Sequence, residues 1–326
     1  MGFEAESLTH ARTWRSRLRK KLRSLTGYDT MIKAPLKPKI TEEVQRDGYR
    51  RQHVEIQTEP GIIMPMYVLI PSGANAPLPA VLCPHGHGSG GKVSVAGCHD
   101  VPGATQWIDH YNYDYGVHLA RAGFITFCPD ARGFGERRED LDEADLFRHS
   151  CLWISNMAIP LGQTVIGMWT WDLHRLVDYV QTRTDCLPGK IGCAGLSGGG
   201  MQTLWATALD NRIRCAVISG YFYGYKEALL DMHYNCSCSY VPHLNEYVDM
   251  GDLGALIAPR PLLIETGDKD ELNGASGLKN VRPQVSIARK AYRLCGKAGN
   301  LKHDIFDGRH RWHGAHAIPW MHKHLA

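Results

Sequence analysis

The 326-residue chain lacks any apolar run approaching the ~20 residues needed to span a bilayer, so no membrane-embedded segment is expected. It lacks a charge excess of either sign: 37 basic side chains face 33 acidic ones, a formal net charge of +4. That balance argues against a dedicated nucleic-acid partner, which needs a strong basic surplus to displace counterions. The first residues carry Arg and Lys with no apolar stretch behind them, so no secretory signal is readable and a cytoplasmic location is expected. Cysteine is thin, ten in all, too sparse for a disulfide scaffold, and most are read as buried thiols. Internal repeats and low-complexity tracts are absent. A hydrophobic share of 44% against 21% charged excludes wholesale disorder.

What the chain does have is 34 Gly and 17 His. Their placement depends on the order of elements. Residues 1–27 read as an amphipathic helix: Leu8, Ala11, Trp14, Leu18, Leu22 and Leu25 step by three or four and fall on one stripe. Arg12, Arg15, Arg17, Arg19, Lys20, Lys21 and Arg23 cover the remainder. Such a cluster can bind a polyanion or an anionic membrane. With so few charges, and two Glu ahead of them, a helix docked through Trp14 and the leucines is expected instead. Gly27 closes it, and Pro35 to Pro38 is an extended connector, so 1–48 forms a helical arm and 49–326 the main domain.

Alternation in His53–Ile56, the Pro60-Gly61 turn and the apolar run Ile62–Ile70 predict an antiparallel hairpin. Strands are then expected at 79–83, 124–128, 190–194, 214–218, 261–265 and 301–306, with helices at 115–122, 165–181, 202–209, near 283–295 and at the C-terminus. Strands spaced by helices imply a mostly parallel sheet with helices on both faces, an α/β architecture. Two stretches break the rhythm, 130–164 and 221–255, both after strands, where such sheets place ligand-binding loops.

Gly195-Leu196-Ser197-Gly198-Gly199 reads G-x-S-x-G between a predicted strand and a predicted helix. A nucleophile at the tip of such a turn is held in a strained conformation with its oxygen exposed. The backbone segments meet so closely that Gly195 and Gly199 cannot carry a β-carbon, and the helix N-terminus favours developing negative charge. A nucleophilic Ser needs a carboxylate and then a His further along the chain. Asp268 and Asp270 both follow the strand at 261–265 and compete for the acid. His310 and His313 both follow the last strand and compete for the base. The glycine-rich loop Pro84-His85-Gly86-His87-Gly88-Ser89-Gly90-Gly91 offers N–H donors to an oxyanion, jointly with the N–H of Gly198.

That loop nearly spells a phosphate-binding P-loop, Gly86, four residues, Gly91, Lys92, but Val93 stands where Ser or Thr must hold magnesium. Nucleotide hydrolysis is therefore not expected. Neither is a metal: His85, His87, His99 and His110 follow no zinc-protease or zinc-finger spacing, and Cys236-Ser237-Cys238 is too tight for the usual zinc hook. No cofactor is called for.

With these pieces the chain resembles the α/β-hydrolase superfamily, and within it the dienelactone-hydrolase-like and acetyl-xylan-esterase-like serine hydrolases. The resemblance covers roughly residues 50–326, with a similar Arg- and Trp-bearing helix ahead. It rests on Pro84-His85-Gly86-His87-Gly88, Asp130-Ala131-Arg132-Gly133-Phe134-Gly135-Glu136, Gly195-Leu196-Ser197-Gly198-Gly199 and Ile257-Ala258-Pro259-Arg260-Pro261. The 221–255 stretch, which breaks the strand–helix rhythm, is expected to form a lid-like insertion. The family's Gly, two residues, Asp falls on Gly267 and Asp270, which favours Asp270 as the acid. Its Gly-Gly-His falls on Gly308-Arg309-His310, with Arg in place of one Gly, and favours His310 as the base. A second departure is the polar Glu271-Leu272-Asn273-Gly274, where relatives carry an apolar, Pro-containing turn. The residue after His-Gly, here His87, is implied as an oxyanion donor. Dienelactone hydrolases use a Cys nucleophile, so Ser197 implies ester hydrolysis of a small-molecule substrate: a short-acyl ester, with acetylated sugars suggested.

The Tyr221, Phe222, Tyr223, Tyr225, Tyr234, Tyr240 and Tyr247 set can stack on a sugar or simply pack, and packing is expected for most. Two further readings stand beside the esterase: a peptidase or amidase with the same three residues, and a catalytically silent member that binds a ligand or partner.

Overall fold

In a computed structural model that describes residues 1–139, 145–232 and 235–326, nine strands form one sheet in the order β1-β2-β3-β5-β4-β6-β7-β8-β9. The strands are β1 Lys39–Arg46, β2 Tyr49–Glu59, β3 Ile62–Pro71, β4 Leu78–Leu82, β5 Ile125–Pro129, β6 Cys186–Leu196, β7 Ile213–Ser219, β8 Leu262–Gly267 and β9 Leu301–Phe306. The first three run antiparallel, β3 joins β5 antiparallel, and from β5 to β9 every pairing is parallel. Strands β4 to β8 are apolar runs because both faces are covered, as parallel sheets require.

On one face pack the helices Val165–Thr182, Gly198–Leu209, Met250–Ile257 and Leu278–Leu294; on the other lie Tyr115–Arg121 and Ala317–Leu325. The last of these presses so close to β6 that a β-carbon on Gly192 would stand 2.8 Å from Leu325. Among the described residues no single helix is long and apolar enough to cross a membrane. The pair Cys151–Leu161 and Val165–Thr182 passes that test only jointly, bent by 95°.

The N-terminal helix runs Leu8–Leu25, capped by Ser7, whose oxygen accepts from the His10 N–H at 3.2 Å. Ala11, Trp14, Leu18 and Leu22 bury its apolar stripe, whereas Leu8 stays exposed. The basic face does not simply lie in water. Arg19 donates to the Ala208 carbonyl at 2.9 Å and the Leu256 carbonyl at 3.2 Å, satisfying the ends of two other helices.

Three elements depart from the sequence expectations. The stretch after Pro38 forms β1, paired along β2, rather than a plain connector. Residues 250–257 form a helix that closes the 221–255 segment and runs two residues beyond it, with Asp249 and Asp252 as its capping box. The helix expected near 283–295 begins earlier, at Leu278, and carries Pro283 in its second turn. Pro283 has no N–H to donate to the Lys279 carbonyl four residues back, so the ladder loses one bond at that point. Within 221–255, Tyr221, Phe222, Tyr223 and Tyr225 are buried; Tyr234 lies outside the described residues.

Candidate active site

Strand β6 delivers Ser197 to a turn from which helix Gly198–Leu209 starts. Ser197 has φ 60° and ψ −122°, a left-handed conformation costly to a side-chain-bearing residue by about 1–3 kcal/mol. Its surroundings hold it there: its N–H donates to the Ser219 carbonyl at 2.9 Å, and its carbonyl accepts from Met201 at 2.9 Å. The flanking glycines are there for space. A β-carbon on Gly195 would sit 2.4 Å from the Gly199 carbonyl carbon, and one on Gly199 would sit 2.1 Å from the Pro84 carbonyl oxygen. Strand, helix and the loop after β4 therefore converge only because both positions are bare.

Beyond β8 the chain turns through Asp268, Lys269 and Asp270; beyond β9 it turns through Gly308, Arg309 and His310. Asp270, 4% exposed, places Oδ2 at 2.7 Å from His310 Nδ1, while its Oδ1 accepts from the Leu272 N–H at 2.9 Å. An ionised Asp can only accept, so Nδ1 carries the proton and Nε2 is left as the basic nitrogen. Asp268 is exposed and accepts from the Gly308 N–H at 3.0 Å, bracing the turn that carries His310. His313 points elsewhere, pairing with Asp304 at 2.8 Å and stacking on Phe306. Of the two candidate pairs, then, the structure brings together Asp270 and His310.

The loop after β4 lies against the elbow. A β-carbon on Gly86 would stand 2.9 Å from the Gly198 nitrogen, and one on Gly198 would stand 3.2 Å from both Gly86 Cα and His87 Nδ1. The Tyr113 hydroxyl accepts from the Gly86 N–H at 2.8 Å, and Tyr115 donates to the Pro84 carbonyl at 2.5 Å. His85 pins the loop from below. Its Nε2 accepts from the Ala131 N–H at 3.1 Å, which places the proton on Nδ1, 2.9 Å from the Gly86 carbonyl. Burial lowers its pKa to about 4, in keeping with a neutral ring.

Lys92, the lysine of the near-miss P-loop, is buried, and its charge is taken up by two carboxylates. Its Nζ lies 2.6 Å from Asp130 Oδ2 and also meets Glu136. The same Asp130 accepts from the backbone of Lys92 at 2.7 Å and Glu136 at 3.1 Å, so Asp130–Glu136 and the glycine-rich loop form one ionic knot.

Ser197, Gly198, His87, Asp270 and His310 all line one cavity of about 760 Å³. Tyr221 and Tyr223 of the aromatic set reach it, and the other described members pack. Arg309 and Glu271, the two departures from the family pattern, both stand on its rim with their charges 3.8 Å apart. Sequence reasoning missed Tyr111 and Tyr113, which line the wall from behind a short helix and carry no motif. It also missed a grouping of His87, His149, Cys151 and Cys236, whose donor atoms all lie within 4.8 Å of one another. Pairwise spacing could not show it, because the four come from three separate loops.

A mostly parallel sheet flanked by helices, with a Ser at a strand-to-helix elbow and a carboxylate–imidazole pair beyond later strands, defines an α/β-hydrolase. Residues 5–307 match the model of the Abhydrolase family, and the chain belongs to that family. It is 30% identical over 231 residues to "Putative hydrolase YtaP" of Bacillus subtilis (strain 168), covering 68% of this chain and 70% of that protein. Among solved structures, a "putative acetyl xylan esterase (BF1801)" of Bacteroides fragilis NCTC 9343 superposes with a TM-score of 0.76 at 21% identity, over 94% of this chain and 78% of that one. A glucuronoyl esterase of Solibacter usitatus superposes with a TM-score of 0.69 at 16% identity, over 96% of this chain and 93% of that one. At these identities the structural likeness speaks to the fold.

Proposed function

We propose that the protein is a serine carboxylesterase acting on a short-acyl ester, with acetylated sugars as the leading substrate class. The observation that carries this is the buried Asp270 holding His310 at 2.7 Å in the cavity that Ser197 enters from its strained turn. Ser197 Oγ attacks the ester carbonyl as His310 Nε2 takes its proton, and Asp270 stabilises the imidazolium. The carbonyl oxygen gains negative charge beside the N–H groups of His87 and Gly198, whose backbones converge at the elbow. Collapse expels the alcohol with the proton from His310. Water, deprotonated in turn by His310, then cleaves the acyl-enzyme to release the acid and free Ser197. Water apart, the groups these steps use are side chains and backbone N–H groups of the chain.

The named relatives lend support, being a hydrolase and esterases of sugar-linked substrates by name. The test is turnover of p-nitrophenyl acetate, followed by a panel of acyl lengths, sugar acetates and matching amides. Ester turnover lost in Ser197→Ala, with one fluorophosphonate adduct per chain on Ser197, is the expected result. Activity surviving in Ser197→Ala, or an enzyme that takes no adduct, overturns the reading. A preference for the amides would replace esterase by amidase.

A further inference from the structure

We propose that His87, His149, Cys151 and Cys236 form a binding site for a thiophilic divalent cation, zinc in the first place, in the wall of the Ser197 cavity. The site does not depend on the ester-hydrolysis reading, since none of its donors is the nucleophile, the acid or the base.

Geometry comes first. One donor from each residue, two imidazole nitrogens and two thiol sulfurs, lies within 4.8 Å of every other. Around tetrahedral zinc, with bonds of about 2.0–2.1 Å to nitrogen and 2.3 Å to sulfur, neighbouring donors stand roughly 3.3–3.8 Å apart. The four atoms therefore need to close by about 1 Å, a side-chain adjustment rather than a change of fold. Chemistry comes second. Two thiolates and two imidazoles match the hardness of zinc and not that of magnesium or calcium, which take oxygen donors. Two thiolates also neutralise the ion's charge, so binding leaves no net charge against the buried side of the cluster. Four protein donors fill a tetrahedron, the mark of a structural site rather than one keeping a position open for water.

Placement comes third. Cys151 is buried at the start of helix Cys151–Ala158, Cys236 and His87 are half-buried, and His149 is exposed, so the cluster opens to solvent on one side. The donors come from the loop after β4, the segment leading into that helix, and the turn that precedes Ser237–Ser239. A cation there joins the two long excursions of the chain to the oxyanion loop, tying segments that share little regular structure. All ten cysteines are free thiols; Cys238 Sγ also stands 3.4 Å from His87 Nε2 but is not in the set of four whose donors are all within 4.8 Å of one another.

His87 gives the site its consequence. Its Nε2 faces the sulfurs, 3.8 Å from Cys151 Sγ, while its Nδ1 faces the elbow at Gly198. A metal on Nε2 leaves the proton on Nδ1 and fixes the ring, and with it the loop whose backbone abuts Gly198.

The experiment loads the full reduced chain with Zn²⁺, removes excess by gel filtration and counts metal by mass spectrometry. A parallel sample takes Co²⁺. Expected are one zinc per chain and a cobalt spectrum with intense visible bands and near-ultraviolet thiolate-to-cobalt charge transfer. Competition with a chromophoric chelator should show zinc affinity falling about 100-fold or more in Cys151→Ser/Cys236→Ser. His149→Asn, at an exposed position, should lose roughly tenfold or more. Cys238→Ser should bind as the parent does. Substoichiometric zinc, a cobalt spectrum without charge transfer, or parent-like affinity in either ligand variant overturns the site. So does loss of binding in Cys238→Ser alone, or a Cys151–Cys236 disulfide in chain purified under nitrogen.

Discussion

The Asp270 carboxylate serves two turns at once: Oδ2 meets His310 Nδ1 at 2.7 Å, and Oδ1 caps the turn Glu271–Asn273 through the Leu272 N–H at 2.9 Å. The polar Glu271-Leu272-Asn273-Gly274 stretch, which departs from the family pattern, thus supports Asp270 by another route. Asn273 adds a hydrogen bond from its side chain to the Gly267 carbonyl at 2.8 Å, closing the loop on the end of β8. Arg309, the departure beside His310, faces Glu271 across the rim; both are largely exposed, so their pairing contributes little to stability.

Asp270→Asn should therefore lower kcat on an activated ester by about 10³- to 10⁴-fold, since an amide cannot stabilise the imidazolium and favours the wrong tautomer. Asp268→Asn, altering a carboxylate that only braces a turn, should stay within about tenfold of the parent. Steady-state kinetics on p-nitrophenyl acetate decides it. Equal losses in the two variants would remove Asp270 from the role proposed for it.

The parts that could be read from the chain are those made of contiguous residues. The apolar strands β4 to β8 announce themselves because burial on both faces leaves no room for polar alternation. The elbow is five consecutive residues whose spacing is dictated by backbone contact. Strand β1 stayed hidden for the opposite reason: as an edge strand its side chains are mostly exposed, and Lys39, Glu42 and Glu43 carry no apolar stripe. The choice between Asp268 and Asp270 was open from position alone, because both follow β8; it is the tertiary approach of the 308–310 turn that separates them. The His87, His149, Cys151 and Cys236 grouping was illegible in principle, since its members lie up to 149 residues apart and no local pattern links them.

Lys92 and Asp130 are buried together, with Asp130 also holding two backbone N–H groups. Asp130→Asn leaves the ammonium in the interior with only Glu136 as a counter-charge. Such a broken pair costs about 3–5 kcal/mol, so denaturant unfolding should show a lowered midpoint with little change in slope. A variant as stable as the parent would mean that the knot has no net worth to the fold.

His174 is buried between the N-terminal arm and the sheet-facing helices. Its Nε2 lies 3.0 Å from the Ala206 carbonyl and its Nδ1 2.7 Å from the Tyr28 hydroxyl, an arrangement that suits the neutral ring. Burial lowers its pKa from 6.5. Because the folded value lies below the unfolded one, this contribution is whole above pH 6.5 and fades as pH falls beneath it. Thermal melts of the parent should decline in that window more steeply than those of His174→Gln, which has no proton to gain. Parallel curves for the two proteins would count against the assignment.

Glu265 titrates with the opposite sign. It is fully buried in β8, with one oxygen accepting from the Gly314 N–H at 3.0 Å and the carboxyl also beside the Ser219 hydroxyl. Burial pushes its pKa up from 4.5 to about 7. A raised carboxyl favours folding while it is protonated, so stability is full below the unfolded value of 4.5 and is lost as pH rises through about 7. The loss approaches an order of 3 kcal/mol once both states are ionised. Glu265→Gln keeps an acceptor for Gly314 and cannot ionise. Its melting temperature should exceed the parent's by several degrees at about pH 9 and match it near pH 5, as calorimetry across that range would record. If the parent holds its melting temperature through neutral pH while the variant gains nothing, the carboxyl is stabilised as an anion and the polarity of this part of the core is other than argued.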